Sequence, residues 1–272
     1  MSEIKSFSIF SLALLAIMLG LFYTNNLGPI PGFGFILGTM AVLSWWVSYR
    51  LNQTWKGMSQ QEKAQVPVLN ELRWFFIIGA LFFTIDIIPH VILVVVGADV
   101  GTITIVHWAG HVFLFTYNVL GVRIALSFFN PRWKNPVTIF VALVSAAALA
   151  ASALYPDTLV YLPPAVSKYP LLHSNHVYAA FNMVSNILSI GLFGVYLVFM
   201  GLFRASGSAR TRAVLMGIGL LCEVVSGFYI QFGTSPDTPA YLFTLFTFWG
   251  LFTGVAALDT IRNRASLRGA RA

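Results

Sequence analysis

Charge is what this sequence has least of. Nine acidic and sixteen basic residues in 272 leave only 9% of the chain charged, against about a quarter in an ordinary soluble domain. That shortage excludes a globular, water-soluble fold. Cysteine is almost missing as well, and the single Cys222 excludes an intrachain disulfide. No Gly-rich phosphate loop, Cys-x-x-Cys pair or nucleophile elbow occurs, so the usual marks of nucleotide, thiol and serine-hydrolase chemistry are lacking. The last apolar run contains no lysine deep inside it, which excludes a retinal Schiff base there.

What is present is apolar: 58% of the residues are hydrophobic and the mean hydropathy is +0.80. Eight runs stand out, at about 7–25, 29–49, 74–97, 102–129, 136–155, 173–203, 213–234 and 239–261. Each reaches or approaches the roughly 20 residues that a helix needs to cross the hydrocarbon. The expected fold is therefore all-α: a polytopic membrane protein with a bundle of about eight transmembrane helices in one domain over 1–272. The run at 7–25 ends in Tyr23-Thr24-Asn25-Asn26 without a small-residue cleavage site, so a retained anchor is expected. Trp45-Trp46 closes the second run as an interfacial aromatic pair, and Ser59-Gln60-Gln61-Glu62 suggests a short surface helix. Val144 to Ala153 forms a small-residue face suited to close helix contact.

The basic residues supply the orientation. Fourteen of the 16 Lys and Arg fall in alternate loops together with the termini. Lys168 stands alone on the other side, and Arg123 lies inside a span. The positive-inside rule places both termini in the cytoplasm. The +7 charge thus reads as a topology signal and not as a nucleic-acid surface. A multi-pass protein of a bacterial or archaeal plasma membrane is expected, with the lipid bilayer as its main partner and association into a hetero-oligomer open to it.

With that orientation all five histidines, His90, His107, His111, His173 and His176, fall in the outer third of the membrane. Ionisable side chains at membrane depth are costly and mark functional sites. His107 and His111 are four residues apart, one turn on one helix face, and imidazole is the commonest metal-ligating side chain. Helix-to-helix hydrogen bonding is the alternative for both. His173 and His176, at the water boundary, read equally as ligands or as interfacial polar residues. Asp86 precedes His90 by four, with Pro89 between to kink the span. Its carboxylate either orients the imidazole, as acids near metal sites do, or serves in packing or a proton relay. Asn118, Asn182 and Asn186 extend a polar strip inward or join helices. Glu223, near the middle of its span, needs a partner because a bare carboxylate there is expensive; with Asp86 it would suit proton movement. For Arg123 and Asp259, a structural ion pair is the simplest reading.

Trp108-Ala109-Gly110-His111-Val112-Phe113-Leu114-Phe115 resembles the Trp-x-Gly-His-x-x-Val-Tyr motif of haem–copper oxidase subunit I. The resemblance covers one helix, and Phe115 stands where that motif has tyrosine. It implies that His111 is a metal ligand. Spans 4 and 6 also look alike, with His111-Val112-Phe113 echoed by His176-Val177-Tyr178, as if two helices presented imidazoles at one level.

Three functions are open at this stage. One is a membrane redox protein, an oxidoreductase or a subunit of one, carrying haem b or copper on His107, His111, His173, His176 and His90. Asp86, Asn118 and Glu223 would support the site or a proton path, and quinol or an external electron-transfer protein would be the partner. Another is a proton-coupled or metal-ion transporter lined by the same groups. The third is a sensor or assembly subunit whose polar residues only pack helices.

Overall fold

The computed structural model describes residues 29–129, 131–161 and 170–232. Helix makes up 87% of them, as expected for an all-α membrane protein. The runs expected at 7–25 and 239–261, and Asp259 with them, lie outside the described residues.

Helix α1 (Pro29–Lys56) opens on proline, whose missing N–H is no loss in a first turn. The short α2 (Gln60–Gln65) is set by a capping box: Glu62 N donates to Ser59 Oγ at 3.3 Å, and Ser59 N donates to Glu62 Oε2 at 2.7 Å. This is the expected surface helix. Helix α3 covers Pro67–Leu93, and its last turns, Ile88–Leu93, are π-helical. The kink expected at Pro89 is taken up by this wider turn, which tolerates the missing donor without ending the helix.

Asp99 starts α4 (Val100–Phe129) by accepting from the backbone N–H of Thr102 at 2.9 Å and from its hydroxyl at 2.6 Å. Those bonds hold the Asp99 carboxyl below its ordinary range. Helix α5 is Lys134–Leu154. A two-stranded antiparallel ribbon follows, β1 (Thr158–Val160) against β2 (Leu171–His173), with Leu159 opposite Leu172. Asn175 then caps α6, which runs His176–Phe203 through a π segment at Ile187–Gly191. Helix α7 is Gly207–Phe232.

Five of these helices, α3 to α7, are long and apolar enough to cross a membrane. Helix α4 is their hub. In its apolar window 61% is buried, against 28–39% in the other four, and it packs on α3, α5 and α6. The outward residues are large and apolar, among them Ile105, Ile139 and Leu143, as lipid contact requires. Polar side chains collect inside instead. The small-residue face of α5 is confirmed, with Ser145, Ala148, Ala151 and Ser152 buried and Ala148 and Ala151 packed with Phe115 and Tyr178.

The two ends of the bundle differ. At the end where α3 and α5 begin, Glu71 accepts from Lys134 Nζ at 2.8 Å and from Arg123 Nη2 at 3.3 Å, tying three helices together. Arg123 therefore finds its partner on α3. The opposite end holds the histidines.

Candidate metal centre at the buried histidine–aspartate cluster

Two helices build the cluster, and the connection after a third completes it. On α4 the one-turn spacing stacks His107 and His111, with ring centroids 4.0 Å apart. On α3, Asp86 and His90 flank the start of the π segment, and His90 Nε2 lies 3.5 Å from Asp86 Oδ1. The α3–α4 contact brings the edge of one ring to the face of the other, His90 against His107, at 4.9 Å. From the turn after α5, Asp157 reaches in and places Oδ2 2.7 Å from His107 Nδ1. From α6, the hydroxyl of Tyr178 is 2.6 Å from His111 Nε2.

One ligand atom each from Asp86, His90 and His107 lies within 4.8 Å of the others. Small side-chain rotations would close that to the spacing of donors around one ion at about 2.0–2.2 Å. One buried atom of the cluster, His111 Nδ1, has no hydrogen-bond partner among the described residues, and Asp86 Oδ1 has only the long 3.5 Å contact with His90. Native interiors rarely leave such atoms unsatisfied, so the group has unused capacity for a ligand. Imidazole nitrogen with carboxylate oxygen is a donor set for zinc, copper, iron or nickel, and it contains no soft sulfur.

The cluster opens on a cavity of about 70 Å³. That volume holds an ion with a few waters. Asp86, His90, His107 and His111 form part of its wall; Asn182, Asn186, Glu223 and Gln231 form another part. Glu223 accepts from the hydroxyl of Tyr117 at 3.0 Å. Tyr117 follows His107 by ten residues on α4, so this pair sits roughly 15 Å further along the axis. Gly79 makes room for it: a Cβ there would stand 3.0 Å from Tyr117 Cε2.

The expected residues divide into three groups. Asp86, His90, His107 and His111 come together, and Asp86 is placed to ligate as well as to orient. His173 and His176 make their own pair, with ring centroids 5.6 Å apart; His176 is exposed, and neither ring belongs to the cavity wall. Asn118 is fully buried and donates to Ser185 Oγ at 3.2 Å, while Ser185 meets Ser145 Oγ at 2.9 Å. That contact joins α4, α5 and α6 as interhelix glue.

Asp157, Tyr178 and Tyr117 are the site residues that sequence reasoning missed. Tyr178 was visible only as an echo of Phe113 in a similar helix. Asp157 had a better signal, as a lone acid in an otherwise apolar connection beside the histidine end. In the Trp-x-Gly-His stretch, the indole of Trp108 donates to the Leu149 carbonyl at 3.1 Å and ties α4 to α5. No protein-family model, curated protein or solved structure matches this chain.

Proposed function

We propose that this is an integral membrane metalloprotein, eight-spanning with both termini cytoplasmic, whose Asp86, His90 and His107 hold one transition-metal ion near the outer face. The observation that carries the reading is the convergence of these three donors from two helices, Asp86 and His107 buried and His90 partly so. Copper is the foremost candidate, because a nitrogen–oxygen site binds Cu²⁺ most tightly among the divalent first-row metals. Bound copper would supply one-electron chemistry, giving an electron-transfer centre facing quinol or a protein partner on the outer side.

Metal analysis of the purified full-length protein tests this, together with a reduced-minus-oxidised optical spectrum. About one equivalent of metal is expected, lost in His107→Ala and in His90→Ala. A chain that carries no stoichiometric metal, and takes up none on reconstitution with copper or zinc, would overturn it. A Soret band would put haem in place of the ion.

Transport is the second reading, and Glu223 is the observation that favours it, since this buried carboxyl shares the cavity with the cluster. Proton or metal-ion flux in proteoliposomes would then drop in Glu223→Gln and Asp86→Asn. Unchanged flux removes this reading.

A further inference from the structure

We propose that Asp157 is the positioning residue of the metal centre: from the outer ribbon its carboxylate takes the Nδ1–H of His107 and leaves Nε2 as the atom that binds the ion. The proposal rests on the metalloprotein reading above and adds to it a segment outside the helices.

The chemistry runs from the bond itself. A carboxylate only accepts, and a neutral imidazole carries one N–H. At 2.7 Å from Asp157 Oδ2, that hydrogen is on Nδ1, so the lone pair is on Nε2. Ligating histidines nearly always give their second nitrogen to such an acceptor, which fixes the ring and raises its basicity. Both side chains are all but sealed from solvent, at 3% and 1% exposure. Burying a carboxylate this deep is costly unless it is paired, and the imidazole supplies the pairing.

The ribbon explains how a residue 50 positions from His107 arrives there. Asp157 immediately precedes β1, and the ribbon is held to the outer ends of α3 and α4 by apolar packing. Leu159, Leu171 and Leu172 lie against buried Val94 and Ile103, and Ile103 is one turn before His107. Leu172 and Ser174 also border the cavity. The same short ribbon thus roofs the cavity and aims its carboxylate.

Copper(II) is the probe, added to full-length protein in nanodiscs. Asp157→Asn keeps the size and removes the charge; it should weaken copper binding by about 10- to 100-fold and shift the copper EPR hyperfine splitting. Asp157→Glu should recover part of both. A purely structural aspartate would lower thermal stability and leave the spectrum of bound copper unchanged. Should Asp157→Asn fail to fold, ¹⁵N-histidine NMR of the metal-free wild-type chain reads the tautomer directly, with His107→Asn giving the assignment. Nδ1–H supports the proposal, and Nε2–H overturns it. Equal affinity and spectrum in wild type and Asp157→Asn overturn it too, while leaving the metal site standing. Wild-type protein that binds no copper removes the metal reading, and this proposal falls with it.

Discussion

A tyrosine hydroxyl and a carboxyl meet deep in the bundle, and their contact shows how single residues keep this interior in order. Tyr117 is stacked on Phe75 with centroids 4.1 Å apart, which aims its hydroxyl at Glu223. Either group alone would be a buried polar atom without a partner, a loss of about 1–3 kcal/mol. Glu223→Gln retains a carbonyl oxygen as acceptor and should unfold close to wild type. Glu223→Leu strands the hydroxyl and should lose stability within that range. Thermal unfolding of the two variants in one detergent checks the difference. Equal stability of both would mean that Tyr117 finds another acceptor. Glu223 itself could be singled out from the sequence, because an acid in mid-span announces itself. Its partner could not, since tyrosine is common in apolar spans and nothing in its neighbours marks it.

Among the elements, α6 and α7 approach each other closely, and glycine makes the contact. A Cβ at Gly217 would lie 2.6 Å from the Gly194 carbonyl oxygen and 2.8 Å from the Val198 nitrogen. Backbone cannot yield as a side-chain tip can. Gly217→Ala should therefore push the helices apart, at about 1–3 kcal/mol. Gly38 on α1 is the control: among the described residues a Cβ there meets nothing within 4 Å, so Gly38→Ala should be neutral or slightly stabilising. Unfolding of both variants in a graded denaturant series separates the cases. A tolerated Gly217→Ala would refute the close packing. The small face of α5 was readable because its Ser and Ala residues run together. The α6–α7 contact was not, because Gly194 and Gly217 lie on different helices and only the folded pair sets them opposite each other. Helix existence likewise followed from hydropathy, while the π turn at Pro89 depends on packing that proline alone does not specify.

For the whole molecule, polarity from end to end is the organising fact. Glu71, Arg123 and Lys134 bind the helices at one end, and the histidine cluster lies at the other. Positive-inside counting assigns the first end to the cytoplasm. In a Cys222→Ser background, Ser206→Cys should react with an impermeant thiol reagent only after the cytoplasmic face is opened, and Thr158→Cys should react from outside. The reverse labelling would invert the molecule. Much of the site could be read from this polarity. His90, His107 and His111 were expected at one level, and Asp86 beside His90 followed from helix spacing. The division between the inner three histidines and His173 and His176 could not be read, because hydropathy places all five toward the same end and only the packing of the helices separates them. Asp157 joined through a contact between distant segments that no local pattern encodes.

The π segments carry one more consequence. A turn bonded i to i+5 takes up one residue beyond what an α-helical turn of the same helix requires, so α3 holds a slack of one residue at Ile88–Leu93. Removing Ile92, which faces outward at 49% exposure, would let the chain return to ordinary α bonding. The faces before and after it would keep their places. His90, inside the slack, would not. The shortened protein should insert and purify as a single species while failing to take up the copper proposed above, which would make the frame and the cluster separable by the length of one amino acid.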